Sequence, residues 1–173
     1  MNHLKKICVV VSVITIAFLA VSCSGSAEKE KVADTGKAPD FTLSDTQGNA
    51  RTLSALRGKV VIIEFWATWC PPCRESVPEL NEVYERFKGK NFELFGIAVD
   101  KGGDASSAVR AFVKEHAVTY PVLLDDRNVN SLYEVSGIPA MFIINKEGKV
   151  VKKFTGFVPG FGDTLSKEVE GLL

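Results

Sequence analysis

The chain has 173 residues, 46% of them hydrophobic, with 21 basic and 21 acidic side chains and no net charge. That is enough for one domain with its own core, and the scattered basic residues supply no electrostatic footprint for nucleic acid. Two histidines and four cysteines leave little material for a metal site, and none is expected.

Lys5 and Lys6 precede an apolar run from Ile7 to Val21, followed by Ser22-Cys23-Ser24-Gly25-Ser26. A charged start, an apolar run too short for a comfortable membrane span and a small-residue zone predict a signal peptide over residues 1–22. Ala20-Val21-Ser22-Cys23 looks like a lipid-attachment box, although Ala20 stands where leucine is usual, and Cys23 is the predicted lipidation site. The alternatives are an ordinary signal peptide cut near Ser22 or Ser26, or an uncleaved anchor. Cys8 lies inside the apolar run and leaves with it. The stretch from Ser24 to Lys37 is small and charged without apolar periodicity, so residues 23–37 are predicted to be a lipidated cysteine and a flexible tether. Residues 38–173 form the predicted folded domain.

From Pro39 onward strands and helices alternate. Phe41 and Leu43, the turn residues Asp45–Asn49 and the segment Ala50–Leu53 predict an N-terminal β-hairpin. Val60–Trp66 is rich in β-branched and aromatic residues and predicts a buried strand. A helix follows over 73–88 with Val77, Leu80, Tyr84 and Phe87 on one face. Further elements are a strand over 92–99, a helix over 105–116 capped by Asp104, a short strand at 122–124 and a short helix over 128–134. A second hairpin (140–144 and 150–155) and a last amphipathic helix from about residue 163 complete the pattern. A β-α-β core followed by β-β-α implies a mixed sheet with helices on both faces.

Trp69-Cys70-Pro71-Pro72-Cys73 lies where the buried strand gives way to a helix. Pro71 and Pro72 suit the first helical turn, where a missing N–H costs nothing. Both sulfurs therefore sit at a helix N-terminus, where unpaired N–H groups and the macrodipole favour an anion. A thiolate there has a lowered pKa, and the thiolate is the form that attacks disulfides. Structural zinc would need four ligands, and His3, His116 and a single Cys pair do not provide them. A static staple is the other alternative, but staples usually close longer loops. The spacing and context favour a redox-active dithiol.

Glu64 is the one charge in a strand that should be central. An unpaired carboxylate there is costly, and burial favours its protonated form. Six residues before Cys70, it is a candidate proton acceptor and donor for Cys73; the alternative is a side chain reaching solvent or a lysine at the strand end. In Gly137-Ile138-Pro139-Ala140 a proline opens a strand, and on its own Pro139 would be an ordinary trans strand opener.

Val60–Cys73 (VVIIEFWATWCPPC) and Gly137–Ile144 (GIPAMFII), in this order, resemble the thioredoxin fold over most of Pro39–Leu173. The signal peptide, the extra N-terminal hairpin and the αβ insertion around Asp100–Asp126 are similar to the anchored, extracytoplasmic TlpA/ResA-like reductases. The resemblance implies an α/β thioredoxin fold with a mixed central sheet flanked by helices. It implies Cys70 as the attacking thiol, Cys73 as the resolving thiol, Glu64 as the buried acid and Pro139 as a cis-proline. Trp69, Ile138 and Pro139 would bind substrate, with Ile138 offering backbone groups. Pro78 matches the proline of the active-site helix. Many such proteins carry an acid three residues after the second cysteine, where this chain has Ser76.

The implied function is a lipid-anchored thiol-disulfide oxidoreductase of the cell envelope, on the periplasmic side of a bacterial membrane. It would reduce protein disulfides, with apocytochrome c among the candidate substrates, and be recharged by a membrane thiol reductase. It would need no cofactor beyond the Cys70–Cys73 disulfide and act as a monomer. The alternatives are a disulfide oxidase or isomerase, a thiol peroxidase and a non-enzymatic peptide-docking module. Ala38–Leu43 resembles the opening of peroxiredoxins, but their P-x-x-x-T-x-x-C signature is missing around Cys70.

Overall fold

The computed structural model describes residues 36–173. The predicted signal peptide, Cys23 and most of the predicted tether lie outside the described residues. Strands β1 (Thr42–Ser44) and β2 (Ala50–Thr52) pair antiparallel as the N-terminal hairpin and lead into a 3-10 turn at Leu53–Leu56. The larger sheet is built from β3 (Val60–Trp66), β4 (Phe92–Ala98), β5 (Val122–Leu124), β6 (Ala140–Ile144) and β7 (Val150–Thr155) in the order β5-β4-β3-β6-β7. Strands β3, β4 and β5 run parallel, joined through α1 (Pro71–Phe87) and α2 (Ala105–Glu115), while β6 and β7 are antiparallel. Two further helices are α3 (Val129–Leu132) and α4 (Phe161–Leu172). This is the thioredoxin-like fold with the extra hairpin.

All seven residues of β3 are buried, as a central strand covered on both faces requires. Its alternation divides the core. Val60, Ile62 and Trp66 pack with Val77, Leu80, Val83 and Phe87 of α1, Val109 and Phe112 of α2, and Leu165 and Val169 of α4. Val61, Ile63 and Phe65 face the opposite layer, built from Phe41 and Leu43 of the hairpin, Leu53, Val129 and Tyr133. The helices thus flank the sheet unevenly, the three long ones on one side and α3 with the hairpin on the other. Burying a large apolar side chain contributes about 1.5–3 kcal/mol, so this two-sided packing fixes the register of β3 and every side chain it presents. The hairpin is held to the sheet edge by the Thr46 amide, which donates to Val122 O at 3.0 Å, and by the bridge between Asp45 and Leu123, while the buried Asp45 side chain closes the hairpin's own turn by accepting from the Gln47 and Asn49 amides and from Arg51.

The predicted elements recur, β3, β5, β6 and β7 with the same ends and the others with ends shifted by one or two residues. Asp104 stands at the N-cap of α2, but its side chain makes no capping bond; the Ala105 amide donates to Gly102 O at 3.2 Å. Tyr84 is only half-buried; Val83 takes the buried place on that face of α1. Among the described residues no helix is long and apolar enough to cross a membrane.

Candidate active site

Strand β3 ends at Trp66, and a three-residue loop delivers Cys70 to the N-cap of α1, with Pro71 and Pro72 at its first two positions. The loop is tied down twice. The Cys70 amide donates to Ala67 O at 3.1 Å. Asp100, just beyond β4, accepts from the Thr68 amide at 3.1 Å and the Thr68 hydroxyl at 2.5 Å. Cys70 and Cys73 are joined as a disulfide. The Cys73 amide also donates to Cys70 Sγ at 3.3 Å, so one of the free N–H groups at the helix start serves that sulfur. Both cysteines are buried, whereas Trp69 beside them is 68% exposed.

Glu64 lies on the α1 side of β3, 1% exposed. Among the described residues its hydrogen-bond partners are two hydroxyls. Ser76 Oγ, on the buried face of α1, lies 2.8 Å from Glu64 Oε1, and Tyr120 Oη donates to Oε2 at 3.4 Å. Ser76 Oγ is also 2.8 Å from the Cys73 carbonyl oxygen. The buried carboxyl is therefore linked through one hydroxyl to the residue that bears the second sulfur. Burial pushes Glu64 up to about 8 from the usual 4.5, and the Ser76 and Tyr120 bonds offset only part of that. Burial and then the neighbouring Glu64 push Tyr120 well above the ordinary tyrosine value, so its phenol remains a donor. Glu75 is exposed and points elsewhere.

The register places Gly96 of β4 and Met141 of β6 beside Glu64. A Cβ on Gly96 would lie 2.9 Å from both Trp66 Nε1 and Tyr120 Cε2. The missing side chain is what lets Tyr120 lie over β4 and reach Glu64.

The Ile138–Pro139 peptide is cis. It enters β6, whose first residue, Ala140, pairs with Phe65 near the end of β3 that leads to Cys70. Ile138 packs against the cluster that contains both cysteines, and Pro139 O accepts from the Gly156 amide at 2.8 Å. Neither the amide nor the carbonyl of Ile138 joins a backbone hydrogen bond among the described residues. Pro78 lies within an unbroken α1, exposed to solvent. Among the described residues no group of three or more His, Cys, Asp or Glu side chains could hold a metal ion.

Residues 35–153 match the AhpC/TSA family. The chain belongs to that family. Over 131 residues this AhpC/TSA chain is 44% identical to the thiol-disulfide oxidoreductase ResA of Bacillus subtilis, covering 75% of this chain and 72% of that protein. A solved structure described as the thiol:disulfide interchange protein DsbE of Chlorobium tepidum aligns with TM-score 0.74 and 31% identity, covering 81% of this chain and 97% of that one. The exposed lipoprotein thioredoxin of Streptococcus pneumoniae aligns with TM-score 0.68 and 29% identity, covering 78% of this chain and 100% of that one. The AhpC/TSA chain is thus a ResA-like thiol-disulfide oxidoreductase with a thioredoxin-like fold.

Cys70, Cys73, Glu64, Trp69, Ile138 and Pro139 were all singled out by the sequence, and the fold gathers Cys70, Cys73 and Glu64 around the first turn of α1. Asp100, Gly96 and Tyr120 were missed. A lone glycine inside a strand is a signal of close approach and could have pointed to Gly96. Asp100 and Tyr120 act across 32 and 56 residues of sequence, a separation that local patterns do not span.

Proposed function

We propose that this chain is a membrane-anchored reductase of protein disulfides in the cell envelope, in which Cys70 attacks, Cys73 resolves and Glu64 moves the proton. The observation that carries the reading is the buried Glu64 carboxyl bonded, through Ser76, to the residue that holds the second sulfur. In the reduced enzyme the Cys70 thiolate attacks one sulfur of a substrate disulfide, and the other substrate sulfur leaves with the electron pair. Glu64 takes the Cys73 proton. The Cys73 thiolate then attacks Cys70 Sγ, the Cys70–substrate bond breaks, and the second substrate thiolate leaves. Two electrons have passed to the substrate and the enzyme is left as its Cys70–Cys73 disulfide. A membrane dithiol reductase must return them.

Exposed Trp69 and the unengaged backbone of Ile138 suit an extended substrate segment laid beside the disulfide. Anchoring through Cys23 is supported by the lipid-attachment box and by likeness to a protein named as a lipoprotein. Apocytochrome c is a candidate substrate. A Cys73→Ser variant should accumulate mixed disulfides through Cys70, and their absence would overturn the assigned roles. The reduction potential decides direction: a value near that of thioredoxin, about −270 mV, supports a reductase, and one near about −120 mV an oxidase.

A further inference from the structure

Ser76 is fully buried, and its hydroxyl oxygen stands 2.8 Å from Glu64 Oε1 and 2.8 Å from Cys73 O. A serine hydroxyl has one proton to donate. While Glu64 is ionised, carboxylate and carbonyl compete for it, and the charged acceptor makes the stronger bond. The hydroxyl is the covalently anchored link between the acid on β3 and the first turn of α1.

We propose that Ser76 is a positioning residue for thiol exchange, whose hydroxyl holds the Glu64 carboxyl against the first turn of α1 so that it can take the proton of Cys73. This rests on the reading of Glu64 as proton acceptor. The step served is the second one: the Cys73 proton goes to the Glu64 carboxylate, the Cys70–Cys73 bond forms, and the Cys70–substrate bond breaks with its electron pair on the substrate sulfur. The groups facing Glu64 leave Ser76 the main lever. Beside it in the sheet lie Gly96 of β4 and Met141 of β6, neither titratable. Tyr120, packed over β4, remains protonated, and α1 contributes Ser76, which also bonds the carbonyl of Cys73. A hydrogen bond to the charged form favours that form, so loss of the Ser76 hydroxyl raises Glu64 further and leaves less base at neutral pH.

The test follows single-turnover reaction of the reduced full chain with an aromatic disulfide whose released thiol absorbs visible light. The concentration-independent second phase reports resolution by Cys73. Wild type should show a rise in that rate centred near pH 8 that Glu64→Gln abolishes. Ser76→Ala should move the rise upward by about one pH unit and slow resolution at pH 7 about tenfold, and Ser76→Thr, which keeps a hydroxyl, should restore it. In the oxidised protein the carboxyl carbon of Glu64, followed by NMR, should titrate higher in Ser76→Ala than in wild type, whether or not the threonine variant folds. A rise that is lost in Glu64→Gln yet unmoved in Ser76→Ala overturns the role of Ser76 and leaves Glu64 as the acceptor. A rise that persists in Glu64→Gln removes Glu64 from the reaction, and the role of Ser76 with it.

Discussion

Replacing Glu64 with Gln should make the oxidised protein more stable, and by an amount that depends on pH. Glu64 is 1% exposed and its acid form is favoured up to about 8, against 4.5 for an ordinary glutamate, because burial penalises the carboxylate. Between those two pH values the unfolded chain has released the proton and the folded chain still holds it. Stability changes with pH in proportion to protons bound unfolded minus protons bound folded. That difference is negative here, so Glu64's contribution is fully present below pH 4.5 and is lost as the pH rises toward 8. At 1.36 kcal/mol per pH unit, the gap between 4.5 and about 8 sets a ceiling of about 5 kcal/mol. Relaxation around the charge lowers that, so an observed difference of about 2–4 kcal/mol is expected. The introduced glutamine has similar size, can still meet the Ser76 and Tyr120 hydroxyls, and does not titrate. Urea unfolding of the oxidised wild type and variant at pH 4, 6 and 8 should give curves that nearly coincide at pH 4 and separate steadily toward pH 8, with equal slopes against urea. A constant offset across that range would refute the buried-acid account.

Two further substitutions probe how the site is held. Asp100→Ala leaves the Thr68 amide and hydroxyl without the acceptor that fixes the loop before Cys70; a loss of about 1–3 kcal/mol is expected, with slower reduction of a protein disulfide measured at a temperature where both forms are folded. Gly96→Ala places a methyl 2.9 Å from Trp66 Nε1 and Tyr120 Cε2, and overpacking of this kind costs about 1–3 kcal/mol. The displaced Tyr120 should also move the Glu64 titration upward, since its bond favours the carboxylate. Unchanged unfolding and titration in Gly96→Ala would show that Tyr120 does not depend on the glycine.

The parts of the site that the sequence disclosed are those whose physics is local. Two prolines between two cysteines at a strand-to-helix junction announce a helix start with sulfur at its N-cap. A single acid among Val, Ile, Phe and Trp announces a buried carboxyl, because lost solvation is not recovered inside a central strand. Pro139 is different. Its local sequence describes a strand opener, and the cis geometry was expected only through likeness to the thioredoxin fold. Asp104 shows the opposite failure: it has the right identity and place for a cap, yet its side chain makes no capping bond, and the Ala105 amide turns to Gly102 O. Capping preference is a matter of about 1 kcal/mol, small enough for loop geometry to override.

Ser76 stands where the resemblance to TlpA/ResA-like reductases implies an acid, and the fold gives that departure a physical meaning. The space between β3 and α1 holds one carboxyl, supplied here by the strand, with the helix supplying the hydroxyl that meets it at 2.8 Å. A second acid at position 76 would set two carboxylates in contact in a buried site, and one would have to stay protonated. Acid and hydroxyl therefore depend on each other's placement. With the acid on β3, its position is set by pairing to β4 on one side and β6 on the other, rather than by the helix turn that carries Cys73. The Cys70–Cys73 bond closes at that turn. On the proposed reading the base is mounted on the sheet, and its link to the residue that bears the second sulfur is left to one serine hydroxyl.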